Sequence, residues 1–539
     1  MSYIRAPQSN KGIIMRLQQM ICVGLLLVAS IPAHAQKKTD RAQVKWGPDM
    51  TVKENGLFND VIGDVGNSTF LLVSRKKETF IQRMDGLKVA WQKPLDLELD
   101  KNDLSIRRIL LTESEIMVFT TFYNKRENEH NLYLSTYDQA GFKALKRFER
   151  LASIPASKSS NLGAFNISAS PDGAKVLVHV MPPFEKNEAE KSRMDVYDAS
   201  MQLQWSQDFV LPYTDSEFRL ETQRVDNDGS VLVLGVKYAE KQEKRALKRQ
   251  NKATYEYHML VYKGDAPLPE DHAITVPDKF LQDMTISMGD EGDIICAGLY
   301  GNKNSFNVRG AFYLRLDRAT KAIAHESYKA FDDDFITMYM TEKEAGKAKK
   351  KADKKDEELE LPEFILHDII RRTDGGAVMV AEQYRSYTVC YTDSKGNTRC
   401  NTHYVYNDVI VVNVDPQGDI EWATKVPKRQ HSVNDNGRYS SFAVAVKEDR
   451  IYFLFNDSGE NLFLKPGDKV KQFKLTGKDA LVVLATVDGQ GATTREALFS
   501  PDRRDVILRP KDCVQLDNQE MFIYANRKKD YRYGLIQYK

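Results

Sequence analysis

Three features predict an all-β chain arranged as a β-propeller. Short β-type runs separated by turn residues fill the sequence from about residue 41 to the end, and helical periodicity is nearly absent. A unit recurs, made of an alternating strand, a tight Gly/Asp turn, an apolar strand, a variable loop and two further strands; its turn glycines Gly173, Gly229 and Gly292 sit 56 and 63 residues apart. Trp91, Trp205 and Trp422 each follow a tight turn in the same way, which puts all three in the outermost strand of a unit. Radial repetition of four-stranded antiparallel blades near this length marks the fold. The count is eight blades, with seven as the alternative. A two-domain β-sandwich would share the short strands but not tryptophans at one repeat position.

In chain order, the first element is an export signal. Residues 21–31 form an apolar run too short to span a bilayer comfortably, Arg16 precedes it, and Ala33 and Ala35 frame a small-x-small cleavage site. Cleavage after Ala35 leaves 36–539 as a single propeller domain, expected in the periplasm or secreted from a bacterium. Trp46 comes before the first full unit and fits the outermost position of a blade that the C-terminus completes. The last unit has only three strands of its own, so an N-terminal strand pairing into it would close the ring and remove both open edges. The units start near residues 57, 104, 163, 217, 280, 363, 438 and 505.

Composition supports one large core. Of 539 residues 42% are hydrophobic and 10% aromatic, and the formal net charge is +2. Removing the first 35 residues takes away Arg5, Lys11 and Arg16 and no acid, leaving the chain one charge negative. A neutral chain carries no nucleic-acid footprint. Polytopic membrane proteins, coiled coils and disulfide-dense miniproteins are excluded as well.

Long connections are expected at 124–131, 182–192, 239–254, 331–362, 385–403 and 456–479. In a propeller, the loops between second and third strands and the links between blades emerge on one face, so these insertions share a face. Elaborated loops on one side of a repeat fold tend to carry function. The segments 239–254 and 331–362 are highly charged and suit exposed helices or disorder. Within 385–403, Cys390 and Cys400 flank a turn between β-prone ends, and an oxidising compartment would join them in a disulfide. Cys296 and Cys513 read as small buried residues.

The strand, Gly turn and Trp-bearing strand that end these units resemble the quinoprotein-like (PQQ-like) propeller repeat. Outer-membrane-assembly propeller lipoproteins and quinone-dependent alcohol dehydrogenases share that repeat. The resemblance covers three blades well, through Trp91, Trp205 and Trp422, and implies that the tryptophans dock neighbouring blades. The dehydrogenases' adjacent cysteine pair does not occur here, so no quinone cofactor is implied.

Motifs for catalysis are mostly missing. There is no zincin His pair, no Gly-x-Ser-x-Gly elbow and no phosphate loop, and no metal or cofactor is expected. The starts of the innermost strands should line a central funnel on the elaborated face. They carry Asn59, Asp60, Arg107, Arg108, Asn166, Glu221, Arg224, Asp283, His367, Asp368 and Ser441. Charges of both signs around such a channel suit a small polar ligand. The leading expectation is a monomeric, non-enzymatic scaffold that recognises a protein or glycan through the insertion face. The alternatives are a hydrolase or lyase using Asp283, Asp368 and His367 in the funnel, and a structural subunit of an envelope assembly.

Overall fold

The run Val231-Leu-Val-Leu234 lacks alternation because its strand, Val231–Tyr238, is covered on both faces. Val231 and Val233 pack with Phe209 and Leu211 of the preceding sheet, whereas Leu232 and Leu234 pack with Met284 and Ile286 of the following one. A strand buried on both sides is apolar throughout. Ile294–Gly301 follows the same rule: Ile294 and Cys296 face backward, and Ile295 and Ala297 face forward.

The computed structural model describes residues 39–539, except 186–188, 215–216, 251, 265, 267, 277–278, 289–292, 303–306, 356, 368, 373, 393, 395, 476 and 501–505. The export signal expected at 1–35 lies outside the described residues, as does Asp368. The described chain is mostly β. It forms six four-stranded and two six-stranded antiparallel sheets, all but the last following chain order as meanders, together with two small two-stranded pairs. The first strands of the eight larger sheets begin at Leu57, Ser105, Ala164, Phe218, Phe280, Phe364, Ala443 and Ile507. Four-stranded meanders packed face to face are the architecture of a β-propeller.

Seven apolar clusters each join two consecutive sheets. An eighth cluster, with Phe58, Leu71, Phe522 and Tyr524, joins the last sheet to the first. The outer strand of the last sheet is the N-terminal segment Ala42–Trp46, paired from Ala42↔Tyr538 to Trp46↔Gly534. Three tryptophans tie a fourth strand to a turn of the next sheet. Trp91, Trp205 and Trp422 donate their indole N–H to the carbonyls of Ala140, Gly229 and Gly489 at 3.0, 3.1 and 2.9 Å. Trp46 meets Phe499 edge-on at 5.2 Å. Such rings bury apolar area while the N–H finds an acceptor.

The insertions differ in kind. The long loop expected at 124–131 is a tight turn instead, because Glu115–Asn124 and Glu129–Asp138 pair out to Asn124↔Glu129. The charged segments hold the helices Glu243–Arg249, Asp333–Thr337 and Glu342–Asp353. The last begins with a capping box between Thr341 and Glu344, which satisfies two otherwise unpaired N–H groups. Cys390 and Cys400 face each other across a long hairpin and are joined. The free thiols differ in setting: Cys296 is buried and Cys513 half-buried.

Candidate functional site

In each meander the first strand starts at the end where the second-to-third-strand loops and the inter-sheet links emerge. At that end most first strands are irregular. An extra residue bulges from the ladder at Asn59, Arg107, Glu221 and Gln282. In the sixth sheet the first strand is split into Phe364–Leu366 and Ile370–Arg371. Bulges release backbone pairing and re-aim side chains.

Two glycines make room for this. Gly298 lies opposite Met284, and a Cβ there would come within 2.1 Å of the Asp283 carbonyl. Gly235 lies opposite Leu220, and its Cβ would strike the Phe218 ring at 2.0 Å.

Glu221, Asp283 and His367 come from the fourth, fifth and sixth sheets and line one cavity of about 310 Å³ with Thr222, Met284, Thr285 and Leu366. Asp283 accepts the Leu366 N–H at 2.8 Å. Burial, and then Glu221, raise its pKa above the ordinary carboxylate value, while that N–H and His367 oppose the rise. Glu221 is held by Arg219 Nε at 2.8 Å. The Tyr257 hydroxyl is pushed up by burial and then by Asp283 and Glu221, which sets it beside both carboxylates.

His367 is backed by buried polar groups. Its Nε2 lies 3.6 Å from Glu382 Oε2, and its ring packs on Phe442 at 4.9 Å. Glu382 accepts Lys428 Nζ at 2.5 Å and Ser441 Oγ at 2.7 Å. Glu382 and Lys428 are 1% and 0% exposed. Burial works against the Glu382 charge, but Lys428, the nearby His367 and the hydrogen bonds from Lys428 and Ser441 outweigh it and hold the carboxyl low. Lys428 also reaches Gln430 at 3.3 Å, and Gln430 accepts the Ser441 N–H.

The other expected funnel residues lie outside this cavity lining. Asp60 sits beside Arg108, whose charge opposes the rise in pKa that burial causes. Arg107 donates to Asn166 Oδ1 at 2.8 Å and to the Phe165 carbonyl. Asn59 turns away toward Ser74. Arg224 lies on the Glu221 strand, across from Leu232. Ser441 is buried behind His367 rather than in the channel. A second cavity of about 330 Å³ lies by the C-terminus, lined by Gln43, Glu520, Gln537, Lys539 and neighbours; it has no His–carboxylate pairing.

Sequence reasoning missed Glu382, Lys428 and Gln430. The signal was present as a carboxylate ending the apolar run Val378-Met-Val-Ala-Glu382.

No protein-family model and no curated protein matches the chain. Among solved structures, the β-propeller domain of the Trilobed protease from Pyrococcus furiosus is similar at 10% identity and TM-score 0.34, over 84% of this chain and 98% of that one. Polysaccharide lyase Uly1 is similar at 10% identity and TM-score 0.33, over 92% and 99%. An acylaminoacyl peptidase is similar at 10% identity and TM-score 0.35, over 88% of this chain and 58% of that one. Likeness this low carries no argument about what the chain does.

Proposed function

We propose that the funnel mouth is an acid–base site that acts on a small polyhydroxylated group, as a hydrolase or lyase. The observation that carries this reading is the convergence of Glu221, Asp283 and His367 from three sheets on one cavity. Its volume of about 310 Å³ is at the low end for small-molecule sites. A carboxyl whose pKa burial raises suits a proton donor, and an imidazole backed by a buried carboxylate suits an acceptor. Glu221, held by Arg219, would stabilise positive charge. The test is sugar release from a panel of neutral and anionic polysaccharides by residues 36–539. Asp283→Asn and His367→Ala should each lower turnover at least 100-fold. Unchanged turnover in both variants would refute the assignment.

A scaffold reading also has an observation in its favour. The 331–362 link is held by the two sheets that follow it: Gly467 N–H in the seventh sheet's insertion donates to Met338 O at 2.7 Å, and Lys425 Nζ on the sixth sheet's last strand donates to Ile336 O at 3.0 Å. Deleting 387–403 and losing a bound partner with the fold intact would favour it.

The eight sheets are proposed to form one closed, eight-bladed ring, supported by the cluster that joins the last sheet to the first. Export to the periplasm or beyond, with cleavage after Ala35, is proposed from the N-terminal sequence. Edman sequencing of the mature protein should begin at Gln36.

A further inference from the structure

We infer that the disulfide-pinned hairpin of the sixth sheet is a docking arm for an anionic polysaccharide, leading it toward the funnel. The inference deepens the funnel reading by naming a substrate class, and it rests on that reading for where the polymer goes. The strands Ala377–Thr392 and Thr398–Val414 have 16 and 17 residues, where the other second and third strands have 7 to 10. Past Glu382 the hairpin therefore continues for nine or more residues, roughly 30 Å at strand rise. Gln430–Val433 adds a third strand at its root.

The pairing register sorts the arm into two faces. Ser386, Thr388, Cys390 and Thr392 share one face with Cys400 and the opposing threonines. Tyr387, Val389 and Tyr391 share the other with Arg399, Asn401 and His403. Tyr387, Val389 and Tyr391 are 38%, 47% and 49% exposed. Tyr387 and His403 stand parallel at 4.8 Å, His431 continues the stack at 5.2 Å, and the Arg385 guanidinium covers Tyr387 at 5.2 Å. At the root Arg385 also reaches Glu363, at 3.6 Å.

Charge and chemistry choose the occupant. Segment 384–405 has three cations and one acid in a chain that is otherwise near neutral. The adjoining loop 459–479, joined to Gln430 through Phe473, has five lysines against three acids, adding a further net charge of +2. The exposed rings carry hydroxyl or imidazole edges and stand among Arg and Asn donors. That suits sugar rings with carboxylate or sulfate groups better than lipid hydrocarbon. The arm is also continuous with the site, because it grows directly from Glu382, which backs His367.

The test is a titration of residues 36–539 with dextran sulfate, polygalacturonate and neutral dextran. The anionic polymers should bind at least tenfold tighter than dextran. Tyr387→Ser/Tyr391→Ser/Arg399→Ser, with the disulfide kept, should lose at least tenfold. Equal binding of dextran, binding unchanged by the triple variant, or tighter binding to phosphatidylglycerol vesicles or a DNA oligonucleotide would each overturn the arm assignment. Arm-dependent polymer binding without any turnover by the wild type would sink the acid–base reading and leave the arm standing.

Discussion

Replacing Lys428 by Met isolates the buried polar group behind His367. Glu382 is 1% exposed and its closest cation is Lys428, at 2.5 Å. Removing one partner of a fully buried pair typically costs about 3–5 kcal/mol, because the remaining charge keeps its desolvation penalty. Ser441 and His367 still face the carboxylate, so the lower end, about 3 kcal/mol, is expected. The sign of the pH dependence follows from the depressed Glu382 pKa. In the wild type its contribution is present above the ordinary carboxylate range and is lost as pH falls through the lowered value. In Lys428→Met the carboxyl gains a proton instead, so the deficit is largest at pH 8 and shrinks toward pH 5. Urea unfolding followed by tryptophan fluorescence at both pH values measures it. The double variant Lys428→Met/Glu382→Met should recover most of the loss, since apolar replacement of a buried pair is often neutral. A single-variant loss under about 1 kcal/mol at pH 8, or a double variant no better than the single, would refute the account.

Three further outcomes are expected. Burial raises the Asp64 pKa to about 6 despite the Asp517 N–H at 2.8 Å; its stabilisation is complete below pH 4 and is lost as pH rises through 6. The loss is at most about 3 kcal/mol before solvent screening. Asp64→Asn should flatten stability between pH 4 and 7, and profiles parallel to wild type would contradict this. Gly298→Ala puts a Cβ against the Asp283 carbonyl, so calorimetry should register a destabilisation of about 1–3 kcal/mol, with the Gln282 bulge and Asp283 displaced in a crystal structure. Reducing Cys390–Cys400, 10 residues apart, removes about 3 kcal/mol of local constraint; amide exchange at 386–404 should accelerate while the global melting temperature holds, and a fall of many degrees would contradict an independent arm.

The repeating part of the fold was legible because repetition multiplies weak signals. Runs such as 231–234 recur with a turn glycine on one side, and Trp91, Trp205 and Trp422 mark one strand position. Each tryptophan answers to the same local demand, an indole N–H meeting a turn carbonyl of the next sheet. The irregular part was not legible in the same way. The sixth unit was placed correctly near 363, but a period of two cannot register the break between Leu366 and Ile370 beside which His367 lines the cavity. Asn124 illustrates the converse error, since polar residues at a hairpin end look like a loop although the ladder continues to Glu129.

That contrast bears on where chemistry sits in such a molecule. A regular first strand would point its residues alternately into the two neighbouring interfaces, where only apolar groups fit. Asp283 follows a break in the ladder, and the backbone there needs space that Gly298 provides by having no Cβ. Glu221, Asp283 and His367 occupy or adjoin such breaks in three consecutive sheets. Each break gives up backbone hydrogen bonds, worth about 1 kcal/mol apiece. The third sheet keeps them, paired without interruption from Ala164↔Met181 to Ala169↔Val176, whereas the first and second also bulge, at Asn59 and Arg107. The fourth, fifth and sixth sheets carry their breaks side by side at one polar cavity, the arrangement that the proposed acid–base role would use.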